Sequence, residues 1–204
     1  QMMAENLAAR GIKDKNEGLA EPRFRTVADF IFSGSQWKMR ELAFGEQKVV
    51  FKPGDNKENY AVKRMPEIEQ WATDIYNFVA GKYGEENIVA FYVHLDETSP
   101  HIHCVLLPIK DGKFAFKEIF AGANNREYSQ RTSQLHDELA VVNEPWGLVR
   151  GTSQTETRQR HRPTEEYRKH LSEECSSKEE ELDKLNKALS DLRVEIALAV
   201  RRVK

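Results

Sequence analysis

Three of the chain's six histidines stand within ten residues of one another, in the run VAFYVHLDETSPHIHCVLLPI at positions 89–109. His94, Glu97, His101 and His103 follow the spacing His-x2-Glu-x3-His-x-His. Imidazole nitrogens joined by a carboxylate are borderline ligands suited to Zn²⁺ or Mn²⁺. Three protein nitrogens with a coordination position left over is the ligand count of a catalytic metal site, whereas a structural site closes its fourth position. An ion held there would polarise a phosphoryl or carbonyl oxygen. Taken singly, each histidine reads better as a surface or hydrogen-bonded residue, and only the whole spacing within one hairpin argues for metal.

The flanking residues indicate how such a cluster would be positioned. Residues 89–95 and 101–109 are rich in β-branched, aromatic and aliphatic side chains, and DETSP between them carries turn formers, which predicts a β-hairpin. Alternation along a strand puts His101 and His103 on one face, and an antiparallel partner brings His94 opposite them. Tyr92 shares that parity, as packing more readily than as a nucleophile. Residues 25–33 alternate as a strand, with Ala28, Phe30 and Phe32 on one face and Val27, Asp29 and Ile31 on the other. Residues 36–44 are ambiguous. Pro66 opens a helix over 65–82 whose Ile68, Trp71, Ile75, Phe78 and Val79 recur at three and four, with a stop near Gly84. A short helix over 1–11, an Asp-Gly turn into a strand at 114–117, and a helix over 126–142 complete the pattern. In that last helix Tyr128, Leu135, Leu139 and Val142 point inward, Arg126 and Arg131 are free to face a nucleic acid, and His136 is a satisfied or solvent-facing histidine. The expected fold class is α+β, an antiparallel sheet with flanking helices.

At 204 residues with 39% hydrophobic and 31% charged content, the chain is long enough for one cored domain and an appendage. A net charge of −2 does not mark a nucleic-acid binder, but phosphate contacts depend on local clusters. One such cluster occurs at 150–169, where Arg150, Arg158, Arg160, Arg162, Arg168 and Lys169 outnumber Glu156, Glu165 and Glu166 among Ser and Thr hydroxyls. Guanidinium forks and hydroxyls hold phosphate oxygens without reading bases; the same composition also suits a solvated linker. From Leu182 to Val203 apolar residues alternate at three and four, a coiled-coil seam through which two copies could pair as a homodimer, or an amphipathic helix folding back on its own domain. Two cysteines, Cys104 and Cys175, without paired spacing fit a reducing cytoplasm, and no apolar run approaches a membrane span.

The segment YGEENIVAFYVHLDETSPHIHCVLLPIKDGKFAFKEIF resembles the metal-binding motif of the Mob/Pre plasmid mobilisation relaxases, the MobV class of HUH endonucleases. The resemblance extends from about residue 23 to residue 171, through HRPTEEYR. It implies a sheet with the histidine pair on a central strand and a nickase acting on single-stranded DNA at an origin of transfer. It further implies His94, His101 and His103 as metal ligands and Glu97 as a further ligand or a group activating the nucleophile. The ion would be Mn²⁺ before Zn²⁺ or Mg²⁺, and Arg150, Arg158, Arg160 and Arg162 would contact DNA. In that family the nucleophile lies in an N-terminal motif containing a histidine followed by Asn and Arg. This chain has no histidine before His94, so the nucleophile is unassigned. The sequence is then either a fragment or a shortened homologue that binds without cutting.

The resulting expectation is a metal-binding domain at 1–149, a basic DNA-contacting segment at 150–170 and a helix at 171–204. The chain would bind metal and single-stranded DNA but cut slowly or not at all. Two other functions fit the residues: a non-catalytic DNA-binding module with a metal kept for structure, and a metal hydrolase acting on small molecules.

Overall fold

A computed structural model of the chain describes residues 2–51 and 57–152, with scattered helical positions between 177 and 192. The chain divides into two units, Gln1–Gly151 and Thr152–Lys204. In the second, Leu182, Leu185, Leu189 and Leu192 are exposed on helical positions. The expected coiled-coil seam otherwise lies outside the described residues, as do Cys175, Arg158, Arg160 and Arg162.

The first unit runs α1 (Met2–Ala9), β1 (Ala28–Phe32), α2 (Gln36–Phe44), α3 (Pro66–Tyr83), β2 (Ile88–His94), β3 (His101–Leu106), β4 (Ile109–Lys110), β5 (Lys113–Phe114) and α4 (Asn125–Asn143). It is the expected mixture of helices with an antiparallel sheet. β3 is central, pairing antiparallel with β1 on one side and β2 on the other.

Side-chain alternation then divides β3 into two faces. Ile102, Cys104 and Leu106 are fully buried, whereas His101, His103 and Val105 are only partly covered. The buried face packs on α3, whose Ile68, Trp71, Ala72, Ile75 and Val79 form one apolar stripe, and on Met39, Leu42, Ala43 and Phe44 of α2. Pro66 occupies the first turn of α3, and Gly84, at φ 87°, ends it by donating its N–H to the Ala80 carbonyl. Trp71 has no exposed surface, and its Nε1–H donates to Asn143 Oδ1 at 2.9 Å, joining α3 to the end of α4. A second contact between these helices is the Lys82–Glu138 ion pair, whose ammonium holds the Glu138 carboxyl below its usual range.

Burial in this core pushes the Cys104 thiol up to about 11. At pH 8 the thiolate fraction is then about 0.1%, against a quarter or so for a free cysteine. In a Cys175→Ser variant, Cys104 is expected to resist an aromatic disulfide reagent in the folded chain and to react fully in denaturant. Rapid reaction under native conditions would mean that β3 does not hold this face against the helices.

Residues 36–44, unresolved by pattern, are helical because Met39, Leu42 and Ala43 meet the core although Gln36, Trp37 and Lys38 do not. The strand expected at 114–117 is shorter. Asp111 and Gly112, both at positive φ, make the predicted Asp-Gly turn, but β5 ends at Phe114 and residues Lys117–Ala121 wind into a π-helical turn. The reason is aromatic packing: Phe120 turns inward against Phe30 and Tyr83, which continued alternation could not achieve. On α4, Leu139 and Val142 meet the core as expected, whereas Tyr128 is exposed. Asn124 caps this helix, its Oδ1 accepting the Glu127 N–H, while Glu127 Oε2 accepts from the Ala123 N–H.

Candidate metal centre

The hairpin register sets the site. His94 stands directly across from His101, and Tyr92 across from His103. All three imidazoles therefore rise from the partly exposed face, opposite Ile102 and Cys104. Ring centroids lie 5.1 Å apart for His94 and His101, 5.0 Å for His94 and His103, and 4.9 Å for His101 and His103. Ligand atoms of His94, Glu97 and His101 all fall within 4.8 Å of one another. His103, two residues further along β3, has its ring beside both of the others but is not among those three ligand atoms.

His101 carries the clearest orientation. Its Nδ1 is 2.9 Å from the Ser99 carbonyl oxygen, which can only accept, so in the neutral ring Nδ1 is the protonated nitrogen and Nε2 the one with the lone pair. That tautomer leaves Nε2 free to bind a metal, and it is set by the hydrogen bond the other nitrogen makes.

Glu97 sits in the turn, and the turn is held from outside the hairpin. The Thr98 carbonyl accepts from Arg40 Nε at 2.7 Å and from Gln36 Nε2 at 3.3 Å, and the Pro100 carbonyl accepts from Ser33 Oγ at 3.1 Å. Thus α2, the element sequence pattern could not assign, fixes the loop that presents the carboxylate. Arg40 is itself braced over the Phe51 ring at 4.4 Å.

A second carboxylate approaches from β1. Asp29 Oδ1 lies 3.8 Å from His103 Nδ1, on the strand face that also carries Ile31. The signal for it was present in the alternation of Val27, Asp29 and Ile31, but only pairing between β1 and β3 brings Asp29 to the histidines. His94 Nδ1 similarly has Asp96 Oδ1 at 3.9 Å. Tyr92 shares the face, and its hydroxyl donates to Met2 Sδ of α1.

Two of the arginines expected to face a nucleic acid are otherwise engaged. Arg150 pairs with Asp137 at 2.6 Å and donates to Ser133 Oγ, both on α4. Arg131 donates to the Glu118 carbonyl.

Residues 34–169 match the Mob_Pre family, described as plasmid recombination enzyme. The chain belongs to the Mob_Pre family. The matched span contains α2, the hairpin and all four residues of the cluster. Among Mob_Pre relatives, a plasmid recombination enzyme type 1 of Staphylococcus aureus is 34% identical over 128 residues, covering 60% of this chain and 30% of that protein. A plasmid recombination enzyme of a Bacillus species is 27% identical over 137 residues, covering 67% of this chain and 30% of that protein. This chain thus spans about a third of the length of either relative. The fold is shared with the MobM relaxase domain (MOBV; Mob_Pre) bound to 26-nucleotide pMV158 oriT DNA. That match has a TM-score of 0.50 at 18% identity, covering 80% of this chain and 78% of the other.

Proposed function

We propose that this Mob_Pre chain forms the metal-binding core of a relaxase, a nuclease that nicks single-stranded DNA at an origin of transfer by transesterification. The observation that carries this reading is the convergence of three imidazoles on a partly exposed sheet face, with Glu97 of the turn beside His94 and His101. Membership in a family of plasmid recombination enzymes and a fold shared with an origin-bound relaxase domain support it. Among the described residues no helix is long and apolar enough to cross a membrane.

The donor set fits a divalent cation. Three neutral imidazoles with a carboxylate suit Mn²⁺ or Zn²⁺ better than Mg²⁺, and the proton on His101 Nδ1 frees the nitrogen that would bind. His94, His101 and His103 would hold the ion, with Glu97 at the turn end of the group. A bound ion there supplies Lewis-acid stabilisation of charge developing on a scissile phosphate. The chain's own contribution is orientation. Ser99 fixes the His101 ring, Asp29 Oδ1 stands 3.8 Å from His103 Nδ1, and Arg40 with Gln36 holds the Thr98 carbonyl beside Glu97. Because these groups stand on an uncovered face, an extended DNA strand can reach them without rearrangement of the sheet.

Outer groups of this kind typically contribute about 10–100-fold to metal affinity. Arg40→Ala should therefore weaken Mn²⁺ binding about tenfold while leaving the circular dichroism spectrum unchanged, because Arg40 acts on the turn from the surface. Equal Mn²⁺ affinity in the two proteins would show that the turn holds Glu97 unaided.

The proposal is tested with 5′-labelled single-stranded oligonucleotides tiled across the DNA flanking the gene, incubated with the full chain and MnCl₂. Strand binding that is strengthened by Mn²⁺ and weakened by Glu97→Gln and by chelation, with slow cleavage or none, is the expected result. Strand binding indifferent to Mn²⁺ and to Glu97→Gln would contradict the metal-centred reading and leave a DNA-binding module.

A further inference from the structure

A second surface joins the site described above and has the chemistry of a nucleic-acid track. Asp29, which faces His103, also lines a concavity of about 650 Å³ along the outer edge of β1, shared with Phe116, Tyr128 and residues of α4. Beyond it lies a second concavity of about 550 Å³ between residues 15–25 and the β4–β5 turn, and Arg25 borders both.

The lining alternates cations with aromatic rings. Arg25 lies over Phe116, its guanidinium carbon 5.2 Å from the ring centroid, and Lys15 Nζ lies 5.8 Å from the centroid of Phe24. Lys110, Lys113 and Lys117 complete the second concavity, against Asp111 and Glu118 alone. Glu118 is already paired with Lys110, so the field at the surface is positive. Phe24 and Tyr128 are each 51% exposed, large apolar rings left facing solvent beside these cations.

Resting on the DNA reading above, we propose that a single DNA strand leaving the histidine cluster passes over the edge of β1 and lies in this groove. Its bases stack on Phe24, Phe116 and Tyr128, and its phosphates meet Arg25, Lys113 and Lys117. A strand bound without sequence preference needs this pairing of stacking rings with a positive track. Three features select a nucleic-acid strand over an apolar peptide: the excess of cations, the continuity with Asp29 and His103, and exposed rings spaced between the charges. The groove also gives the chain a DNA-contacting surface separate from residues 150–169.

The test is fluorescence anisotropy of a labelled mixed-sequence single strand with the full chain over a range of salt. Two variants are compared: Arg25→Gln/Lys117→Gln and Phe24→Ala/Tyr128→Ala. All four substituted positions are exposed surface residues and Phe116 is left intact, so both variants retain the fold. The charge variant should bind about tenfold more weakly at low salt, with the slope of log affinity against log salt reduced by about 0.7 for each cation removed. The aromatic variant should bind about tenfold more weakly with its salt slope unchanged. Lys63→Gln, outside the groove, should bind as the unsubstituted chain does. If the unsubstituted chain binds and both variants match it, the groove is overturned while the DNA reading survives. If the unsubstituted chain takes up Mn²⁺ yet binds no strand at all, both fall together.

Discussion

His101→Ala is expected to lower Mn²⁺ affinity by more than about a hundredfold, because it removes a ligand whereas loss of an outer partner alone costs about 10–100-fold. His101 is the most exacting of the three positions. It stands across from His94 in the register and contributes to the group of ligand atoms within 4.8 Å that includes Glu97. Its tautomer is also fixed by the Ser99 carbonyl. Without it, His94 and Glu97 lose the residue that shares their group of ligand atoms, and only His103, beside Asp29, remains on β3. The fold should not change, since His101 belongs to the exposed face while Ile102 and Cys104 carry the core. Isothermal titration of the chelator-stripped protein reads the first effect and thermal melting the second. Unaltered Mn²⁺ affinity in the variant would remove His101 from the site.

Trp71→Ala should act in the opposite manner, on the fold and through it on everything else. Trp71 is the largest fully buried side chain in the core, and its indole N–H is the bond that joins α3 to Asn143 at the end of α4. Truncating a buried tryptophan costs about 3–5 kcal/mol from lost burial and the cavity left behind. The Asn143 side-chain oxygen loses its partner in addition. Domains of this size are stable by about 5–15 kcal/mol, so about a fifth or more of that margin would disappear. Urea denaturation followed by tryptophan-independent circular dichroism should show the midpoint falling steeply. A shift below about 1 kcal/mol would mean that α3 is not the helix on which the sheet rests.

Much of this was legible from residue pattern, and the reason is that the decisive elements have strong periods. The hairpin alternates cleanly, so the common face of His101 and His103 followed from parity, and the stripe from Ile68 to Val79 could only be a helix lying on that sheet. Asp29 was placed on its correct strand face, but its approach to His103 depends on which strand lies beside β3, and alternation within a strand carries no information about its neighbours. Residues 36–44 resisted assignment because a nine-residue helix that buries Met39, Leu42, Ala43 and Phe44 in one short stretch shows no full apolar turn. The role of Arg40 was hidden with it. Tyr128 was expected to point inward because it fell in phase with Leu135 and Leu139, yet the core ends before the first turns of α4. The basic groove at Arg25 escaped notice because its cations come from residues 15, 25 and 110–117, distant in sequence and gathered only by the turns between them.

The most direct measurement of the central claim is side-chain ¹H–¹⁵N spectroscopy of histidine-labelled protein titrated with Zn²⁺, a diamagnetic ion suited to the same ligands. His94, His101 and His103, assigned by single substitution, should shift together and saturate at one equivalent, with His101 remaining protonated at Nδ1, while His136, His161 and His170 stay in place. Shifts absent from the hairpin, or saturating on the other histidines instead, would contradict a metal centre at this site.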